Sequence, residues 1–230
     1  TEPVSEVLNN KLADTGVEIV LNRRYPSGTE DFNPIYNEVE NSGADAAFIS
    51  MAHTGTAAVI QWAQQRRPFE FGGIHVPMQL PSYYGATNGA CAFGVTQNSA
   101  TPTAEVTDQT VPFANAFNEE FGSFPVYTGY ISYDAMNQYA EVVSNAGDLG
   151  ADAVVSGLEE SSYTGTVGTV EYYGPDHEFA HDVKYEQDLV WPVFQQWQPD
   201  DPQNPQQGGT QEVIFPDTLQ TAEYQSPPWV

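Results

Sequence analysis

The chain has 230 residues, enough for one large domain or two small ones, and sets 6 Lys+Arg against 31 Asp+Glu for a net charge of −25. So few cations exclude a phosphate-backbone binder, which needs clustered positive charge to displace counterions, and docking on an anionic membrane surface. One cysteine, Cys91, excludes an intrachain disulfide and a cysteine-rich zinc site.

Residues 1–15 pattern as an amphipathic helix, with Val4, Val7, Leu8, Lys11 and Leu12 at three-to-four spacing and Gly16 able to end it. The segment lacks the charged, then apolar, then small-residue order of a secretory leader. Alternating α/β chains generally begin with a strand, so sequence upstream of Thr1 is expected. Residues 17–25 (VEIVLNRRY) are apolar and β-branched and predict a strand. After the turn at 26–29, Asp31 is placed to N-cap a helix to about Asn41 with Phe32, Ile35, Tyr36 and Val39 on one face, ended by Gly43. Residues 46–51 (AAFISM) are wholly apolar and predict a strand buried on both faces. A helix is expected over 54–66, ending in Arg66 and Arg67, which suit a helix C-terminus. A strand over 69–74, an irregular loop over 77–89 and a strand over 92–96 follow. This rhythm predicts an α/β fold: a parallel sheet with flanking crossover helices, its ligands beyond the carboxyl ends of the strands.

From residue 97 the pattern changes to helices over 108–122, 130–147 and 151–160, then an alternating strand over 167–173. Residues 174–189 form a polar loop with His177 and His181, 191–198 a strand, 199–209 a low-complexity linker or surface loop, and 212–215 a last short strand before an extended PPWV tail. No run of five like charges occurs, so the acidity reads not as a tail but as a solvated surface adapted to very high salt, with an acidic patch for a cationic partner as the alternative.

Five segments in this order carry a family resemblance: YPSGTEDFNPI (25–35), SGADAAFISMAHTGTAAVIQWA (42–63), YTGYISYDAMNQYAEVVSNAG (127–147), YTGTVGTVEYY (163–173) and DLVWPVFQQWQ (188–198). Together they resemble the type 1 periplasmic-binding-protein fold, in particular the branched-chain amino-acid class of ABC-importer substrate-binding proteins. The resemblance implies a two-lobed α/β receptor, incomplete at its N-terminus. Residues 1–96 would form most of the second lobe, 97–189 the returning part of the first, and 190–230 the return to the second with the tail. The helices at 108–122, 130–147 and 151–160 would then lack a sheet to cover, leaving Phe113, Phe117, Phe121, Met136, Tyr139 and Val143 wet.

The implied function is that of an extracytoplasmic receptor that holds a small polar solute between lobes, closes about hinges at 96–99 and 185–190, and delivers to permease subunits, with no cofactor and no nucleic acid. The resemblance places Met51, Ala52, His53, Thr54 and His75 at the cleft, with Tyr83 and Tyr84 as aromatic walls. Amino-acid binders carry an acidic residue where this chain has His75, so a solute with a carboxylate, amide or other acceptor group fits as well. Plainer readings stand beside these: His53 facing solvent at a helix start, His75 satisfied by backbone, and the tyrosine pair as loop packing.

Three rival readings, an enzyme, a metal site and a sensory module, stand against this one. Glu119-Glu120 and Glu159-Glu160 are adjacent on helices and point about 100° apart, so neither pair converges on a substrate. The cluster His177, His181 and Asp182 has metal-ligand spacing only if helical, and Pro175 makes it a loop. A sensory module on the same fold is not separable by sequence.

Overall fold

The computed structural model describes residues 11–12, 15–51 and 55–230. The expected helix over 1–15 falls largely outside them. Helix α1 (Asn33–Ser42) starts where Asp31 Oδ1 accepts the Asn33 N–H at 3.0 Å, and ends where Gly43 turns left-handed at φ 71°. Its inner face is the predicted one: Phe32, Tyr36 and Val39 are buried and Ile35 packs beside them.

Strands β1 (Ala46–Ser50), β2 (Glu70–Ile74), β3 (Val95–Asn98), β6 (Val193–Pro199) and β7 (Gly209–Phe215) form one sheet in that order. The first three are parallel, while β6 and β7 add on antiparallel, so the sheet is mixed rather than wholly parallel. Helix α2 (Thr56–Gln64) crosses between β1 and β2 and buries Ala58, Val59 and Trp62. Trp62 stacks on Phe71 at 5.1 Å and donates Nε1–H to Phe69 O at 2.9 Å, while Tyr36 donates to Ala58 O at 2.6 Å. This aromatic core needs one glycine in particular. Gly73 sits at φ 139° against β1, where a Cβ would lie 2.2 Å from Ile49 O.

Several sequence expectations change here. Residues 17–25 form no strand: Leu21 and Tyr25 pack on the core, but Val17 and Val20 are exposed. β-Branched residues favour extension, yet a strand also requires a hydrogen-bonded neighbour. Strand β1 is an edge strand, and only one face is covered: Ile49 is buried but Phe48 is 66% exposed. Arg67 does not cap α2; it reaches α1, meeting Glu40 at 2.6 Å and Asn33 at 2.8 Å. The 77–89 loop contains a 3₁₀ turn (Val76–Gln79) and the short helix α3 (Tyr83–Ala86). The low-complexity 199–209 stretch is the connection of the β6–β7 hairpin, held by Tyr84, whose hydroxyl lies 2.6 Å from Pro205 O and 2.9 Å from Gly208 O. The tail is also packed: Gln225 exchanges hydrogen bonds with Gln196, and Trp229 lies 5.5 Å from Trp62 and 5.6 Å from Phe93.

Helices α4 (Thr110–Phe121), α5 (Tyr127–Ala146) and α6 (Ala151–Glu160) lie close to their predicted spans. The strand expected over 167–173 shrinks to a two-residue ladder of β4 (Tyr163–Thr164) with β5 (Thr169–Val170). Ala100, Ala114, Tyr130, Val167, Val170 and Val190 form a second core. Phe121 and Met136 are each 67% exposed and Tyr139 is 41% exposed, as expected of helices without a covering sheet, but Phe113, Phe117 and Val143 are half-buried, Phe113 against the second core. Among the described residues, no helix is long and apolar enough to cross a membrane. Cys91 is buried, and burial pushes its thiol up to about 12.

The second core hangs on Asp134. Its buried carboxylate accepts the N–H of Thr166 at 2.7 Å, the N–H of Val167 at 3.0 Å and the Thr166 hydroxyl at 3.0 Å, tying α5 to the β4–β5 turn. Gly165 makes room, since a Cβ there would stand 2.4 Å from the carboxyl carbon. Burial raises the Asp134 carboxyl above its ordinary value, and those donors pull it back. Asp134→Asn turns one acceptor into a donor facing backbone N–H groups. Urea unfolding is expected to show a loss of about 1–3 kcal/mol; an unchanged midpoint would refute this role.

Candidate functional site

The register Ser50↔Ile74 brings the residues after β1 and β2 out side by side. Met51 continues the ladder for one bond, its N–H reaching Ile74 O at 2.8 Å. His75 follows β2 and is fully buried. Its backbone is clasped by Thr96 of β3, which donates Oγ1–H to His75 O at 3.1 Å.

The imidazole joins three elements. Nδ1 lies 3.0 Å from Met51 O and Nε2 lies 2.9 Å from the Tyr83 hydroxyl. The rings of His75 and Tyr83 meet edge-on at 5.4 Å. Tyr83 in turn donates to Thr56 Oγ1 at 3.2 Å, the first residue of α2. That helix begins at Gly55, which sits at φ 102° and supplies no side-chain cap. Burial pushes the Tyr83 phenol up to about 12, with its Thr56 hydrogen bond opposing.

Met51, His75 and Tyr83 are therefore brought together, but as an inner layer whose polar atoms are already engaged. Ala52, His53 and Thr54 lie outside the described residues. Tyr84 belongs to the β6–β7 connection rather than to this cluster. Thr56, half-buried, is the hydroxyl of the cluster nearest solvent. It escaped the sequence reading because the helix was expected to begin at residue 54, although the Gly55-Thr56 pair marks the true start. Gln79 also escaped it. Its amide donates to Gln97 O at 2.8 Å and accepts the Tyr127 N–H at 3.2 Å, joining the strand ends to the head of α5. No local pattern announces that role.

Of Met51, Thr56, His75, Gln79 and Tyr83, only Thr56 is not buried; the other four back the strand ends as an uncharged layer with no carboxylate among them. His177, His181 and Asp182, whose loop setting already spoke against a metal site, are turned to other partners. His177 stacks on Tyr173 at 3.8 Å and its Nδ1 accepts the Phe179 N–H, while His181 turns to Glu159 at 3.1 Å. Among the described residues, no three His, Cys, Asp or Glu side chains converge as a metal cage.

A family model described as "Periplasmic binding protein" matches residues 3–185. No curated protein sequence matches. The fold is similar to that of a branched-chain amino acid ABC transporter protein from Silicibacter pomeroyi, with 15% identity and a TM-score of 0.75 over 99% of this chain and 58% of that one. It is also similar to a leucine-, isoleucine-, valine-, threonine- and alanine-binding protein from Brucella ovis, with 14% identity and a TM-score of 0.70 over 97% of this chain and 57% of that one. A solute binding protein of an ABC transporter from Rhodopseudomonas palustris, in complex with 3,4-dihydroxy benzoic acid, matches with 15% identity and a TM-score of 0.68 over 97% of this chain and 57% of that one. At such identities the likeness is one of fold, the type 1 α/β arrangement. The chain spans less than three-fifths of the length of each.

Replacing His75 by Ala removes the imidazole from between two buried polar partners and leaves a void. Urea unfolding is expected to show a loss of about 2–4 kcal/mol. A loss below about 0.5 kcal/mol would mean that the cluster is not a structural tie.

Proposed function

This chain belongs to the periplasmic binding protein family, and we propose that it is part of an extracytoplasmic receptor that presents a small polar solute to the permease of an ABC importer. It binds and releases the solute without altering it. The observation that carries this reading is the meeting of Met51, His75 and the start of α2 at the carboxyl ends of parallel strands, the position at which open α/β sheets take ligands. Met51, Ala52, His53, Thr54, His75 and Tyr83 form or back the second lobe's wall, with Thr56 added. Residues 1–96 and 190–230 make up that lobe, and 97–189 belong to the first.

The uncovered apolar surfaces support a longer, two-lobed molecule. Phe48 on the sheet and Phe121, Met136 and Tyr139 on the helices are wet here, and burial of such side chains contributes about 1.5–3 kcal/mol each. Hinges at 96–99 and 185–190 would let the lobes close on the solute. His75, standing where amino-acid binders carry an acidic residue, widens the solute class from amino acids to carboxylates and amides.

Leucine and 3,4-dihydroxybenzoate are the first probes to titrate. A bound probe at a hundredfold excess over its dissociation constant stabilises the fold by about 2.7 kcal/mol and is recovered unchanged. Turnover of a probe, or no stabilisation by a broad panel of small polar solutes, would overturn the reading. The net charge of −25 further points to a protein working at high salt. Its melting temperature is expected to rise as KCl goes from about 0.1 M, where the Debye length is about 10 Å, to above about 1 M; a flat or falling trend would remove the halophilic reading.

A further inference from the structure

We propose that Gln79 is a positioning residue of the solute cleft: its side chain holds the head of α5, in the first lobe, against the strand-end turn of the second. The inference rests on the receptor reading above, which says only that a solute binds between the lobes. Gln79 closes the 3₁₀ turn that follows His75 and is 2% exposed. Its amide meets two backbone groups whose roles are fixed. Gln97 O can only accept, so it faces the amide nitrogen at 2.8 Å. The Tyr127 N–H can only donate, so it faces Oε1 at 3.2 Å. A reversed amide would set donor against donor and acceptor against acceptor.

The first partner belongs to a rigid frame. Gln97 lies on β3, which pairs with β6 from Val95↔Gln196 to Asn98↔Val193. Just beyond it, Asn98 Nδ2 donates to Gln195 Oε1 at 3.3 Å, and Gln195 Nε2 donates to Thr101 Oγ1 at 2.7 Å. Asn98, Thr101 and Gln195 are all buried, so the two strands that cross between the lobes are pinned to each other. Gln79 is tied to this frame and moves with the second lobe.

The second partner needs what Gln79 brings. The first N–H groups of a helix have no acceptor within it, and a Ser, Thr, Asp or Asn at the N-cap ordinarily supplies one. Helix α5 has Val126 there, with no side-chain cap and no acidic residue in its first turn. Val126 and Tyr127 are half-buried. The acceptor for Tyr127 comes instead from a residue 48 positions away, on the other lobe. A rotation about residues 96–99 that carried α5 off the strand ends would part Oε1 from the Tyr127 N–H. The lobe angle and the first turn of α5 are thereby linked, and both meet at the turn that follows His75.

The test compares three forms of the 230-residue chain: wild type, Gln79→Met, which keeps the side-chain length but neither hydrogen bond, and Gln79→Met with Val126→Ser, which gives α5 a cap of its own. Amide exchange reads the helix start. In Gln79→Met the amides of Tyr127 to Ile131 are expected to exchange about three- to tenfold faster, while those of β1, β2, Thr166 and Val167 stay as they were; Val126→Ser should restore the slow rates. Spin labels at Asn41→Cys on α1 and Asn145→Cys on α5 read the lobe angle, both positions being exposed and the native Cys91 buried. Their distance distribution should broaden in Gln79→Met and stay broad when Val126→Ser is added. Unchanged exchange, an unchanged distribution, or a distribution narrowed again by Val126→Ser would each overturn the proposal. So would a loss of protection in both cores, which would mean that Gln79 serves the fold at large. These signals need no solute, so they succeed or fail apart from the receptor reading. Leucine and 3,4-dihydroxybenzoate supply the second arm: a probe that binds the wild type should bind Gln79→Met about three- to tenfold more weakly, because the cleft walls are no longer held in place beforehand. Equal or tighter binding would overturn the assignment. No binding of either probe, with exchange and distances as expected, would count against the receptor reading instead.

Discussion

The parallel register between β1 and β2 is the constraint from which the site follows. Ser50 stands opposite Ile74, so the chain delivers Met51 and His75 to the same level. A slip of one residue would exchange the faces of the strand. Phe71 would leave its stack on Trp62, and His75 would lose the Met51 carbonyl. Gly73 permits the close approach of the two strands, and the aromatic layer of Tyr36, Trp62, Phe69 and Phe71 holds it from one side. Backbone pairing sets the positions, and apolar burial keeps the pairing in place.

The second core is built on a different principle. It has few large aliphatic residues and only a two-residue ladder, and a buried carboxylate does the work that a wider sheet would do elsewhere. Asp134 gathers three donors from the β4–β5 turn, including two consecutive backbone N–H groups that would otherwise be buried without partners. Gln79 then links the strand ends of the first core to the head of α5 through two hydrogen bonds. Polar joints of this kind are compatible with relative movement in a way that a continuous apolar interface is not.

How much of this could be read beforehand depends on the range of the forces involved. The inner face of α1 was legible because Phe32, Tyr36 and Val39 recur at helical spacing. Helices α4 and α5 were legible because Gly122 and Gly147 end them in left-handed turns. The failures share a cause. Residues 17–25 have the composition of a strand, but a ladder needs a partner, and β1 pairs with β2 instead. Phe48 reads as core because its neighbours are apolar, yet its exposure is decided by what lies over that face of the sheet. The 199–209 stretch reads as a linker, although Tyr84, distant in sequence, holds it in a hairpin.

The linear order of residues alone determined the α/β class, the apolar faces of the helices, the family likeness and the choice of His75 as a residue to watch. Spacing within a few residues carries that information, because helical turns and strand alternation are local geometries. Only the tertiary structure decided that His75 is an inner residue with both ring nitrogens engaged. The atoms it meets belong to residues 24 and 8 positions away, and no local periodicity encodes which distant carbonyl or hydroxyl will face a given nitrogen once the strands have paired.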